Sequence, residues 1–393
     1  MRLLLGAFGD PGHAFPVIAL GRVLAARGHA VTLQTWTRWR DHVEAEGMTF
    51  AAAPEYHVFP TRERPLTPYQ AVERATRETV GLVRDVAPHA VVSDILTLAP
   101  ALAGELEGAP VATLIPHTDP RMPPGTPPYS CGARIPRTAA GRRMWSLADP
   151  LLRHGLALGR DELNETRRRL GLPPLTRVHG GISADLAMVA TFPQLEYPRD
   201  WPPNTHVVGP LLWEPPAAGL EPAPGDEPLV LVAPSTTQDA EHRLMRAALA
   251  GLAGMPVRVL ASVNRSRPQP PFDVPANARL VDWLSYSQTM PDCHLVVCHG
   301  GHGTIARALA CGCAVLIVPA AGDMNENAAR VDWAGVGVRL PRRMVSPRAI
   351  ALAVGRALAR PALRERAREL QAWAAANDGP ERAADLVEAF AAR

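Results

Sequence analysis

Short apolar runs alternate with longer amphipathic segments along the chain. Leu3-Leu4-Leu5 reads as a buried strand, and Ala14 to Arg27 as a helix with Val17, Ile18, Leu20, Val23 and Leu24 on one side, stopped by Gly28. The pattern repeats with a strand at Ala30 to Gln34, a helix at Thr67 to Val86, a strand at Ala90 to Val92, a helix at Thr97 to Glu107 and a strand at Val111 to Ile115. After Val207-Val208-Gly209-Pro210-Leu211, residues 213–228 are dense in Pro, Gly and Ala and read as a linker. The alternation then restarts with strands at Leu229 to Val232, Val257 to Ala261, Ala278 to Val281, Leu295 to Val297 and Val315 to Val318, and a helix at Asp239 to Leu252. Helices fill the end, broken near Pro361 and Gly379-Pro380. Strands alternating with helices predict parallel sheets covered on both faces. Two such halves predict an α/β protein of two Rossmann-like domains facing a cleft, residues 1–212 and 229–393. A length of 393 residues exceeds what one core usually organises.

Composition narrows the function classes. No apolar run reaches eighteen residues, so no membrane-spanning helix is expected, and the short start before the first motif leaves cytoplasmic location as the expectation. Net charge is +3, and all 41 basic residues are arginine. Nucleic-acid binding would concentrate that charge on one face. Only two local clusters stand out, Arg134 to Arg143 and Arg167-Arg168-Arg169. These read first as solvated helix faces, with contact to an anionic acceptor or membrane surface as the alternative. Cys131, Cys293, Cys298, Cys311 and Cys313 are odd in number and lack the paired spacing of structural zinc, so reduced thiols and no bound metal are expected.

Candidate chemistry gathers at two strand-to-helix junctions. Gly12-His13-Ala14-Phe15-Pro16 follows the first strand, at the carboxyl edge where doubly wound sheets bind ligands. The helix N-terminus there disfavours an imidazolium, which predicts a neutral His13. Asp94 follows the strand Ala90 to Val92 and, if that strand lies beside the first, protrudes from the same edge. A carboxylate on one imidazole nitrogen orients the ring for general-base work; helix capping is the plainer reading of each residue. In the second half His299-Gly300-Gly301-His302-Gly303-Thr304 links a strand to a helix. Free backbone N–H groups and the helix dipole there suit a pyrophosphate. No G-x-G-x-x-G follows the first strand, which argues against a nicotinamide dehydrogenase.

Taken together these motifs resemble the inverting GT-B glycosyltransferases, the family of plant UDP-dependent and bacterial natural-product enzymes. Gly12-His13 with Pro16 matches the family's catalytic-histidine motif and Asp94 its activating aspartate, while Val208-Gly209-Pro210 matches the end of the acceptor domain. The resemblance implies donor-binding roles for Ser235, Thr236 and Thr237 near the phosphates, Trp283 and Leu284 at the nucleobase, His299, Gly301, His302, Gly303 and Thr304 at the pyrophosphate, and Asp323 and Met324 at the sugar, with Asn327-Ala328 following. It also implies that the last helix crosses back to the first domain. Arg307 stands where UDP-sugar users carry a ribose-binding Glu, and Met324 where glucose users often carry Gln. Arginine has no acceptor for a ribose hydroxyl. The departures point to a dTDP-linked deoxysugar, a solvent-facing Arg307 being the alternative. The implied partners are a nucleotide-sugar co-substrate and a small-molecule aglycone, without a separate cofactor, and a homodimer is left open. The loops around Tyr56 to Tyr69 and Pro116 to Pro136 would build the acceptor pocket. A lipid-linked or cell-envelope acceptor, and a sugar-nucleotide epimerase, are the alternative functions.

Overall fold

The computed structural model describes residues 1–54, 70–217, 225–235, 241–263 and 271–393. Its first sheet takes β1 (Arg2–Gly6), β2 (Ala30–Thr35), β3 (Thr49–Ala52), β4 (Ala90–Asp94), β5 (Val111–Ile115), β6 (Ala187–Val189) and β7 (Thr205–Val207) in the order β3-β2-β1-β4-β5-β6-β7. The second takes β8 (Leu229–Ala233), β9 (Arg258–Ser262), β10 (Ala278–Val281), β11 (Leu295–Cys298), β12 (Ala314–Ile317) and β13 (Gly337–Arg339) in the order β10-β9-β8-β11-β12-β13. Every pairing among the described strands is parallel. The expected α/β architecture of two Rossmann-like domains is what the chain forms. In each sheet the strand order reverses beside the first strand of its domain, between β1 and β4 and between β8 and β11. That leaves a crevice at the carboxyl edge for a ligand.

The central strands are apolar on both faces because helices cover both. Leu3, Leu4 and Leu5 are fully buried, as are Val91 and Val92 and, in the second sheet, Val230 to Val232. The helix Pro11–Ala26 starts three residues earlier than its apolar pattern, because Pro11 is preorganised for a first turn that Asp10 precedes. His13 therefore lies inside that turn. The strands β3, β6, β7 and β13 were not anticipated from the sequence. Three or four residues at a sheet margin are too few to set up a period.

The domains share more than a linker. Ala383, Ala384, Val387 and Phe390 of the last helix, Gly379–Ala391, pack into the core of the first domain. Arg27 and His29 grip Glu388 of that helix at 2.8 and 2.6 Å. Where the helix crosses, Gly209 has φ +100°, and a side chain at Gly379 would meet the Pro210 carbonyl oxygen at 2.6 Å. The Gly209-Pro210 step thus serves a close chain crossing. Trp213 begins the linker yet is buried in the first core, edge-on to Phe15 at 5.0 Å, with its indole N–H on Glu46 Oε1 at 2.6 Å.

Candidate active site

Register brings His13 and Asp94 together. β1 pairs with β4 so that Gly6 lies opposite Ser93, and the next residue of β4 is Asp94. His13 Nδ1 lies 2.8 Å from Asp94 Oδ1, the carboxylate fully buried and the ring partly open. The second oxygen, Oδ2, accepts from the Phe8 amide at 3.2 Å and the Thr97 hydroxyl at 3.3 Å. Asp94 is thereby held as an acceptor, and the Nδ1–H tautomer of His13 leaves Nε2 with a lone pair. Burial works against an imidazolium at His13. The Asp94 carboxylate, with smaller help from Asp323 and Asp10, outweighs it, and the His13 pKa lies above the ordinary imidazole value. The helix N-terminus was expected to disfavour an imidazolium; a carboxylate in contact acts more strongly than a partial charge spread over a turn, so the net shift is upward.

Aromatic groups continue the site. Phe8 stands edge-on to His13 at 6.1 Å and to Trp36 at 5.0 Å. His117, two residues beyond β5, is 6.0 Å from His13, and Tyr129 is 6.2 Å from His117. His117 Nδ1 donates to the Thr118 carbonyl at 2.7 Å, and burial, then the charge of His13, lowers its pKa. The sequence marked residues 116–136 only as a loop. Counting from the end of β5 would have put His117 at the same carboxyl edge as Asp94. The loop Tyr56 to Tyr69, expected to help build the acceptor pocket, lies outside the described residues.

The second domain faces this edge with its glycine loop and the start of the helix Met324–Ala334. Gly301 caps the helix His302–Ala310, and Gly300 has φ +94° with Ile317 and Met324 packed against the side a Cβ would take. Asn327 Nδ2 donates to the Gly300 carbonyl at 3.0 Å, fixing the loop. Around Gly303 a Cβ would meet nothing, so the loop is open on that side, and Thr304 is half-buried one residue on. Gly301 is covered by the ring of His299, which reaches the Ala233 carbonyl at 3.4 Å. Asp323 caps its helix with no side-chain hydrogen bond, and its charge reaches His13, His117 and Tyr129 across the cleft. Met324 is half-buried beside Gly300. Ser235 is buried just past β8, and Trp283 is half-exposed.

Several residues take other places than expected. Thr236 and Thr237 lie outside the described residues. Leu284 turns its side chain into the second core, leaving its backbone alone for a ligand. The ring of His302 is spent across the domain boundary, Nε2 on the Ala190 carbonyl at 3.3 Å, so only its backbone is available to a phosphate. Arg307 does not face solvent. Its Nη2 donates to the Trp213 carbonyl at 2.9 Å, and its Nε is 3.6 Å from Glu214. The other oxygen of Glu214 accepts from Ser285 Oγ at 2.7 Å, Ser287 N at 3.0 Å and Ser287 Oγ at 2.6 Å. Among the described residues no cluster of His, Cys, Asp and Glu has the arrangement of a metal site.

An interdomain cluster that the sequence did not reveal lies behind Asp323. Arg330, 1% exposed, donates to Glu196 at 2.7 Å, to the Leu195 carbonyl at 3.0 Å and to Glu326 at 2.9 Å. Glu196 in turn accepts from the Asp119 amide at 2.7 Å. Burial opposes the charge on Arg330, and Glu196 and then Glu326 more than offset it.

Two Rossmann-like domains, a histidine–carboxylate pair on one side of the cleft and a glycine-loop helix on the other, define a GT-B glycosyltransferase. Residues 246–390 match the model of the erythromycin biosynthesis protein CIII-like C-terminal domain. The O-mycaminosyltylonolide 6-deoxyallosyltransferase of Streptomyces fradiae is 30% identical over all of this chain and 98% of its own length. Among solved structures, the calicheamicin glycosyltransferase CalG4 superposes with TM-score 0.76 at 24% identity over 100% of this chain and 99% of its own. The glycosyltransferase VinC, solved in complex with dTDP, does so with TM-score 0.72 at 20% identity over both full lengths. The chain belongs to the family of nucleotide-sugar-dependent GT-B glycosyltransferases of natural-product biosynthesis.

The His302 contact carries a pH dependence. Burial, then the charge of His117, lowers its pKa to about 3. The unfolded chain titrates this ring near the ordinary 6.5. The folded state thus binds fewer protons below that value, and stability falls as pH drops from 6.5 toward 3. His302→Gln keeps a donor for Ala190 without the titration. Thermal midpoints measured from pH 7 downward should fall less steeply in this variant than in wild type.

Proposed function

We propose that the enzyme transfers a deoxysugar from a dTDP-sugar to a hydroxyl of a small natural-product aglycone, with inversion and with His13 as general base. The observation that carries this reading is the 2.8 Å contact between His13 Nδ1 and a fully buried Asp94. It leaves Nε2 to take the acceptor proton, and Asp94 stabilises the imidazolium that forms. The freed oxygen attacks the anomeric carbon on the face opposite the leaving diphosphate, which inverts the centre. The pyrophosphate is received by the amides of the glycine loop and the end of the helix His302–Ala310. Asp323, whose side chain makes no capping hydrogen bond to its own helix, fits a role in holding sugar hydroxyls. Phe8, Trp36, His117 and Tyr129 favour an acceptor with substantial apolar or aromatic surface.

The donor preference rests on Arg307 and Glu214. The guanidinium cannot accept a ribose hydroxyl, and the oxygens of Glu214 are spent on Ser285, Ser287 and Arg307. A 2′-deoxyribose loses nothing there. The dTDP bound to VinC and the deoxysugar in the name of the Streptomyces fradiae enzyme agree with that preference.

His13→Ala should lower turnover by ~10²–10⁴-fold while donor binding survives. Near-normal turnover with a hydroxyl acceptor would sink the assignment. Because Asp94 raises the His13 pKa, the wild-type rate should rise with pH through a value above the ordinary 6.5. In Asp94→Asn that limb should move to lower pH as the plateau falls; an unmoved limb would count against the pair.

Positive charge for the diphosphate comes from backbone and helix end in this scheme, so we expect activity without a divalent cation. The rate after exhaustive EDTA treatment should equal the untreated rate. Loss restored specifically by magnesium or manganese would contradict this.

For the donor, titration calorimetry should find dTDP bound more tightly than UDP by roughly ten- to hundredfold. That is the equivalent of one hydrogen bond to a charged group, about 1.5–3 kcal/mol. Equal or tighter UDP binding would refute the nucleotide preference and leave the base untouched.

A further inference from the structure

We propose that the helical segment 139–162 docks the enzyme on an anionic lipid surface. The segment joins the helix Ala139–Ser146 to the helix Asp149–Leu170, and Leu147 and Ala148 between them keep right-handed helical angles. No residue from 139 to 162 is buried. The second helix is anchored only by its last part, through Leu163, Thr166, Arg167 and Leu170. The free part carries Met144, Leu147, Leu151 and Leu158, exposed by 62%, 80%, 74% and 54%. Their spacing of three, four and seven residues puts them on one side of a helix. Apolar side chains are common singly on a surface; a continuous stripe on an unpacked helix marks a contact site.

The charge around the stripe selects the partner. Between residues 134 and 162 stand Arg134, Arg137, Arg142, Arg143, Arg153 and Arg160 against Asp149, Asp161 and Glu162. Arg134 is paired with Asp332 and Arg160 with Asp161. Arg137, Arg142 and Arg143 have no ion pair or side-chain hydrogen bond among the described residues. A second copy of the chain would bring arginines against arginines. Anionic headgroups instead receive the guanidinium groups while the leucines enter the acyl boundary, as for an interfacial helix. No described helix is long and apolar enough to cross a membrane, so the contact is peripheral. The segment also continues the acceptor side of the cleft. The loop from His117 leads straight into it, and Gly125 packs on the backbone of Arg142. Docking would bring the acceptor entrance to the lipid surface.

The test is co-sedimentation of the full chain with phosphatidylcholine vesicles, with and without phosphatidylglycerol. Binding should require phosphatidylglycerol and weaken with salt. Replacing both Arg142→Ser and Arg143→Ser should reduce it by roughly tenfold or more. Leu147→Ser with Leu151→Ser should release it as well. Both variants should keep wild-type thermal midpoints, which separates lost docking from lost folding. The proposal does not depend on the donor or base assignment. No sedimentation with anionic vesicles, or equal sedimentation with both kinds, would overturn it. So would a concentration-dependent dimer that the leucine variant dissolves, which would make the stripe a contact between copies.

Discussion

The guanidinium of Arg330 holds the two halves of the active site at working distance. It extends from the helix Met324–Ala334, which begins at Asp323, and is bound by Glu196 and the Leu195 carbonyl of the other domain. Glu196 also takes the amide of Asp119, two residues beyond His117. One buried charge therefore fixes the helix start at Asp323 relative to the loop beside His13. The desolvation cost of such a group is large, and the pairing returns it only with good geometry. Removing one partner from a buried ion pair costs about 3–5 kcal/mol, because the other charge is stranded. Its value here is positional: the guanidinium fork makes directed contacts to two domains, which an apolar contact of equal area would not orient.

Around that pin the domains meet in different chemical ways. The last helix joins the first domain by burying apolar residues, from Ala383 to Phe390, and by the grip of Arg27 and His29 on Glu388. The start of the linker is held from both sides, Trp213 by its ring in the first core and by its carbonyl on Arg307 of the second. His302 contributes a neutral donor to Ala190. The cleft is thus bounded by contacts of three kinds, and the pairing of His13 with Asp94 needs none of them. That pair is internal to one domain and set by the register of β1 on β4.

Such internal features are what the sequence could disclose. Fully buried strands such as β1, β4, β8 and β11 are continuous apolar runs, and the residues that follow them fall on one edge by the logic of parallel sheets. His13, Asp94 and the glycine loop were legible for that reason. What stayed hidden depends on contacts far apart in the chain. Glu196 and Arg330 are 134 positions apart, and each alone looks like an ordinary surface charge. His302 sits inside the glycine loop, yet its ring is claimed by a carbonyl of the other domain. The upward shift of His13 was not legible, because a helix end was weighed without the distance to Asp94. The short strands β6, β7 and β13 follow from neighbours in the sheet and carry little pattern of their own.

Arg307 has a place in the fold that its sequence context did not reveal. From the sequence its importance lay in what it lacks, an acceptor for ribose. In the fold it has a positive task, tying the helix behind the glycine loop to the linker through Trp213 and Glu214. Glu214 then holds Ser285 and Ser287, which follow Trp283 and start the short helix Tyr286–Thr289. A glutamate at position 307 would face Glu214 across this contact, and two carboxylates there would repel. The identity of residue 307 is therefore coupled to the way the linker is fastened. Placing a carboxylate at 307 would take a change at 214 as well, since either alone leaves one charge without its partner.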